Sequence, residues 1–210
     1  MNWRDAVGHL HSSWDWRRDP AWIETERLKH DIRNYRREYP GAGLSAKLFD
    51  RILGWKLRRQ RARTEQHRAE LIPQNIAVVT EAAFSLDHPQ RDVLAALRLR
   101  VLSSMSGIGT GVASAIMALS FPDTYGVVDF RVWNVVFDQS KRFFTPVEYI
   151  EYLHELWACA LRLDLEPQLV DFLAWSYWER RKEQANNEMQ QTGGARRRPR
   201  RGRRGMGASS

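Results

Sequence analysis

Between residues 102 and 133 the chain reads LSSMSGIGTGVASAIMALSFPDTYGVVDFRVW, and two features of this stretch bear on chemistry. Glycines recur at 107, 109 and 111 around the apolar Ile108, between two apolar runs. Asp129 then stands alone among Val127, Val128 and Phe130. Glycine admits positive φ and lets a second backbone or a ligand come close. The order Leu102, Met105, Gly107-Ile108-Gly109, Ala113, Ile116 predicts a helix, a tight turn pinned by Ile108, and a second helix. The first N–H groups of that second helix lack intrahelical acceptors and suit an anion such as a phosphate. A plain helical hairpin with a glycine cap accounts for the same glycines. A carboxylate in apolar surroundings stabilises a developing cation or activates a water. It serves equally as the N-cap of a helix expected at 130–138.

Taken together, MSGIGTGVA and the later VVDFRVW resemble the helix-hairpin-helix DNA glycosylases, the superfamily that includes endonuclease III and the 8-oxoguanine glycosylase. Their hairpin reads roughly Leu-Pro-Gly-Val-Gly-x-Lys-x-Ala, and an aspartate follows in a Val-Asp-x-His-type segment at the next helix start. Here Asp129 comes eighteen residues after Gly111, the family spacing. The likeness covers about 102–137, and the rest of the chain agrees through its helical pattern. The resemblance implies an all-α fold and a grip on double-stranded DNA through Gly107, Ile108, Gly109 and Gly111. It implies that Asp129 stabilises the sugar cation left when a base–sugar bond breaks, after the base has left the stack for a pocket. It also implies a monovalent cation, potassium or sodium, in the hairpin, held by the carbonyls of Ser103, Met105 and Ile108.

Departures from the family pattern narrow the activity. The lysine that forms a Schiff base in strand-cutting members falls at Gly111. The expectation is therefore a monofunctional glycosylase that hydrolyses the bond and leaves the strand intact. With Cys159 as the sole cysteine, the four-cysteine iron–sulfur site of the endonuclease III branch is absent, and no cofactor is required. The family histidine after the aspartate is replaced by Arg131, which contacts a phosphate or pairs with Asp129. A protein that keeps the DNA grip and has lost catalysis is the alternative.

These residues must be held by helices, and the sequence reads as helical almost throughout. Pro20 opens a segment running to Tyr39, with Pro40-Gly41 ending it, and Ser45 caps the next. Helical patterns follow at 74–86, 90–103 and about 110–120. Thr145-Pro146-Val147-Glu148 is a capping-box start, and a last helix begins near Glu166-Pro167. No strand pattern or internal repeat appears. The run from Lys56 through Arg58 and Arg59 to Arg63 reads as a solvated helix face or as a second contact with the DNA backbone. Trp14, Trp16 and Trp22 staple an N-terminal segment to the core or stack on bases. The histidines at 9, 11, 30, 67, 88 and 154 show no metal spacing.

The formal charge of +8 belongs mostly to the tail, because 195–204, ARRRPRRGRR, holds seven arginines and no acid. The division expected is one helical domain over 1–188 and a disordered Arg-rich tail over 189–210, which adds nonspecific affinity for a polyanion or merely solubility. No window reaches the roughly 18 apolar residues of a membrane span, and MNWRDAVGHL is not ordered as a signal peptide. A cytoplasmic, nucleoid-associated monomer without a membrane partner is the reading.

Overall fold

Caps and proline positions define most of the helices. The computed structural model describes residues 2–194, with the side chains of 59, 63, 64 and 191–194 left aside. Among these residues the chain is all-α, with no strand. The helices are α1 Trp3–Ser13, α2 Pro20–Glu38, α3 Ala46–Leu57, α4 Pro73–Ser85, α5 Arg91–Ser103, α6 Thr110–Ser120, α7 Phe130–Phe137, α8 Pro146–Leu163 and α9 Pro167–Gly194. Asn2, Asp19, Ser45, Asp129 and Thr145 each accept an N–H of the first turn that follows them. That removes part of the unmet donor capacity of each helix start. Thr145 and Glu148 form the reciprocal capping box of α8.

Two helices organise the core. TGVASAIMALS, the whole of α6, carries no charge, and every residue from Val112 to Ser120 is buried. A helix apolar on all sides must be covered on all sides, and α2, α3 and α5 pack around it. The first half of α9 is the second centre. Leu169, Val170, Phe172, Leu173 and Ala174 are buried there, against α1, α7 and α8.

Three local features depart from the sequence expectation. Helix α1 was not anticipated, although Ala6 and Val7 are fully buried and Gly8 lies close to Leu163. The basic run is not one helical face. After Leu57 the chain turns at Arg58, where φ is 44°, into short 3-10 segments at Arg58–Gln60 and Ala62–Arg68. Helix α9 continues past 188 to Gly194, so the expected domain boundary falls inside a helix. The Arg-rich stretch 195–204 lies outside the described residues. Trp16 and Trp22 are buried in edge-to-face contact, and Trp14 stacks on Phe172, so this trio secures the N-terminal segment to α9. No helix of the described residues is long and apolar enough to cross a membrane.

Candidate active site

The turn between α5 and α6 spans 104–109. Ile108 is buried in it, and its N–H donates to the Met105 carbonyl at 3.1 Å. Gly107 has φ 72°, in the left-handed region. A Cβ there would lie 2.3 Å from the His67 carbonyl oxygen. The backbone that comes close at Gly107 is therefore the chain's own, at the end of the 62–68 segment. Ser106 Oγ also donates to the His67 carbonyl. Gly109 differs, because nothing lies within 4 Å of a Cβ placed there. The open side of the turn is thus at Gly109 and the first N–H groups of α6.

From α6 the chain returns through 121–129, and side chains from four helices hold that return. Trp157 Nε1 of α8 donates to the Thr124 carbonyl at 2.6 Å, and the Tyr149 hydroxyl donates to the Gly126 carbonyl at 3.0 Å. The Val127 N–H donates to Asp171 Oδ2 of α9 at 3.2 Å. The Val128 N–H donates to Ser114 Oγ of α6 at 3.2 Å, and that hydroxyl donates to the Gly111 carbonyl. Lys56 Nζ of α3 donates to the Val128 carbonyl at 3.3 Å. Gly126 is required here, since a Cβ would sit 2.3 Å from Leu156 Cδ2. An extended segment held by these five hydrogen bonds delivers the next residue, Asp129, to a fixed position.

Asp129 caps α7. Its Oδ1 accepts from the N–H groups of Arg131 and Val132 at 2.8 and 3.2 Å. Its Oδ2 accepts from Arg131 Nη1 at 3.2 Å and lies 3.9 Å from Lys56 Nζ. The side chain is 21% exposed, so the carboxylate sits in the wall with one edge toward solvent. Arg131 also pairs with Glu179 of α9 at 2.8 Å and lies over the rings of Phe130 and Trp178. Of the two roles considered for Arg131, its guanidinium is committed here to Asp129 and Glu179.

Lys56 is only 12% exposed, and its ammonium points inward. It reaches the site across Gly111. A Cβ at 111 would lie 3.5 Å from the Val128 carbonyl and 4.0 Å from Lys56 Cε. Both are ordinary van der Waals distances, so Gly111, Val128 and the α3 lysine pack in direct contact at the start of α6. Burial pushes the Lys56 ammonium below the usual lysine range, against the opposing pull of Asp129 and Asp171 and with added push from Arg131. Burial likewise raises the Asp171 carboxyl to about 7; hydrogen bonds from Tyr152 and Val127 oppose the rise and the charge of Asp129 adds to it.

Of the remaining anticipated contacts, Arg58 pairs with Glu24 at 3.5 Å on the surface, and the Arg59 side chain is among those left aside. The site thus joins Gly109, Gly111, Asp129, Arg131 and Lys56 and leaves Arg58 apart. Asp171, Ser114 and Tyr149 were missed by sequence reasoning. Asp171 carried a signal, a lone acid in the apolar run Leu169-Val170-Asp171-Phe172-Leu173, the same signal that singled out Asp129. Among the described residues, no group of three or more His, Cys, Asp or Glu side chains gathers to hold a metal ion. Clefts of about 410 and 390 Å³ open between α2 and the end of α6 and between α2 and α3, and Asp129 lines neither. No protein-family model, curated protein or solved structure matches this chain.

Proposed function

We propose that this chain is a DNA base-excision enzyme of the helix-hairpin-helix type, which hydrolyses the N-glycosidic bond of a damaged base. One juxtaposition carries the reading. The open start of α6 at Gly109, suited to a backbone phosphate, is followed at Gly111 by contact with Val128 and Lys56, whose ammonium lies 3.9 Å from the carboxylate of Asp129. A phosphate held at the first element brings its sugar toward the second. As the base departs with the bonding electron pair, positive charge grows on the sugar, and a fixed carboxylate in a poorly hydrated wall stabilises it. Arg131 already occupies Oδ2, so Asp129 acts by its charge more than as a strong base, and water adds to the sugar cation. The half-buried rings of Phe130 and Trp178, packed edge to face beside Asp129, offer a surface for an extruded base. The protein binds duplex DNA as a monomer near the nucleoid, with a monovalent cation in the turn on the carbonyls of Ser103, Met105 and Ile108.

The test is release of free base from a panel of lesion-bearing duplexes. Asp129→Asn keeps the shape and discards the charge. It is expected to bind duplex as the wild type does and to lose at least about 100-fold in excision rate. Full excision by this variant would remove Asp129 from the mechanism. A wild type that binds duplex and releases no base from the panel is instead a non-catalytic DNA-binding protein. The ion pair already made by Asp129 with Arg131 is the observation that favours this second reading.

A further inference from the structure

The cleft of about 410 Å³ between α2 and the end of α6 is lined on its α2 side by a row of cations. Lys29, Arg33, Arg36 and Arg37 recur at helical spacing, so they share one face of α2. Lys29 is compensated, with carboxylates of Glu26 and Glu166 at 2.6 and 3.4 Å. The arginines are not. Among the described residues, no carboxylate oxygen lies within 4.0 Å of the guanidinium nitrogens of Arg33, Arg36 or Arg37. Arg36 Nη1 donates to the Ser120 carbonyl at 2.9 Å, and Arg37 Nη2 donates to Asn34 Oδ1 at 3.2 Å. A guanidinium is a fork of several N–H donors, so most of this donor capacity is unused. Behind them, Arg98 and Arg36 lie over the same Phe121 ring, 4.2 and 4.5 Å from its centroid. Burial and the charge of Arg98 hold the Arg36 guanidinium below its usual value. Arg36 alone would serve the carbonyls at the C-terminus of α6. Arg33 and Arg37 go beyond that need.

Ser120 points the same way independently. It is the last residue of α6, is 8% exposed and lines the cleft, and its buried Oγ has no hydrogen-bond partner. Buried hydroxyls are ordinarily partnered, and an acceptor in the cleft would complete this one. We propose that the cleft binds a phosphate group, with Arg33, Arg36 and Arg37 meeting its oxygens and the Ser120 hydroxyl donating to it. Each guanidinium fork can meet two oxygens of an oxyanion at once. Several forks on one face favour a phosphate over a singly charged carboxylate. The rest of the wall includes Ile32, Leu119, Pro40 and Pro122, which suit the organic body that carries the phosphate. The volume falls among small-molecule pockets, roughly 300–1,000 Å³. The cleft lies at the opposite end of α6 from Gly109, about 16 Å along the helix, so the inference does not rest on the base-excision reading.

The experiment is calorimetric titration of the full chain with glycerol 3-phosphate, at an ionic strength held constant with sodium chloride. Saturable binding is expected. Arg33 is exposed and has no partner among the described residues, so Arg33→Gln is expected to keep the fold and to weaken binding at least about tenfold. Ser120→Ala is expected to weaken it about fivefold, with the melting temperature unchanged or raised, because it removes a buried hydroxyl that has no partner. The arginines of 195–204 are present in every one of these proteins, so such losses locate the binding in the cleft. The proposal is overturned if wild type gives no saturable heat. It is equally overturned if folded Arg33→Gln and Ser120→Ala both bind as wild type does, which would assign the phosphate to the tail arginines. An undamaged duplex separates the two sources of the phosphate. A duplex that displaces the ester, and that binds Arg33→Gln more weakly, assigns the cleft to the DNA backbone. A duplex that binds alongside the ester assigns it to a small phosphorylated molecule. A protein that excises no base leaves these outcomes unaffected.

Discussion

Asp129 and Asp171 both sit near Lys56, and burial separates their roles. Asp129 keeps an edge in solvent and caps a helix, whereas Asp171 is 5% exposed and fixes the Val127 amide that leads into Asp129. Asp171 is thus a positioning residue, held in turn by the Tyr152 hydroxyl at 2.5 Å. Its folded value of about 7 stands above the ordinary carboxyl value of 3.8. The fold therefore binds a proton there that the unfolded chain releases. The associated stability is full below about pH 4 and is lost as pH rises through about 7, at a slope near 1.4 kcal/mol per pH unit. Asp171→Asn has no such proton. The stability lead of wild type over this variant, from urea unfolding, is expected to be largest near pH 4 and to shrink toward pH 8. A lead that stays constant across that window would contradict the assignment. The same variant should slow base excision by loosening the 126–129 segment, with duplex affinity little changed.

Among the elements, the turn between α5 and α6 holds two glycines of different kinds. Gly107 is needed by the fold, because its φ is 72° and a Cβ would meet the His67 backbone at 2.3 Å. Gly107→Ala is expected to cost about 2–3 kcal/mol and to free the 62–68 segment from the turn. Gly109 has φ −86° and open space around it, so Gly109→Leu is expected to cost under about 1 kcal/mol. If a phosphate docks at the start of α6, that side chain stands in its way and weakens duplex binding about tenfold, the worth of one charge-assisted hydrogen bond. Unchanged affinity at fixed salt in a stable Gly109→Leu protein would remove the phosphate from this position. A substitution at Gly107 cannot make this distinction, since it disturbs fold and binding together. From sequence, both glycines looked alike. Helix starts at Pro20, Ala46, Phe130 and Pro146 were legible because the capping residue and the helix it caps are neighbours in the chain. The second partner of Gly107 comes from His67, and the setting of Lys56 comes from Gly111 and Val128. Such contacts arise only when helices pack, so local patterns showed Lys56 as one more surface cation. Helix α1 escaped notice because its first seven residues, Trp3 to His9, interleave charges with Ala6 and Val7, and the buried side of so short a stretch is set by α9.

At the scale of the molecule, charge is distributed very unevenly. Residues 195–210 hold seven arginines and no acid, so without them the formal charge falls from +8 to +1. Many cations of the folded part are already matched, as with Arg51 and Asp31, Arg162 and Asp5, or Arg58 and Glu24. Surface pairs of this kind contribute little to stability, but they leave little net field to draw in a polyanion. On the proposed function, the attractive term for DNA then resides mainly in the arginines. Helix α9 passes the site at Glu179 and runs on to Gly194, so the arginines join the helix about 22 Å from that point at 1.5 Å per residue. On the proposed function, their role is to add affinity at phosphates away from the reacting nucleotide. Removing 195–210 is expected to leave the melting temperature unchanged, because a stretch so rich in Arg and Gly offers little apolar surface to bury. Duplex affinity should fall, and the slope of log affinity against log salt should become shallower by about 0.9 for each phosphate the arginines neutralise. Base excision at saturating DNA should be retained. Fluorescence anisotropy across a salt series measures the slope, and an identical slope in the truncated protein would show that the folded helices alone carry the electrostatic contact.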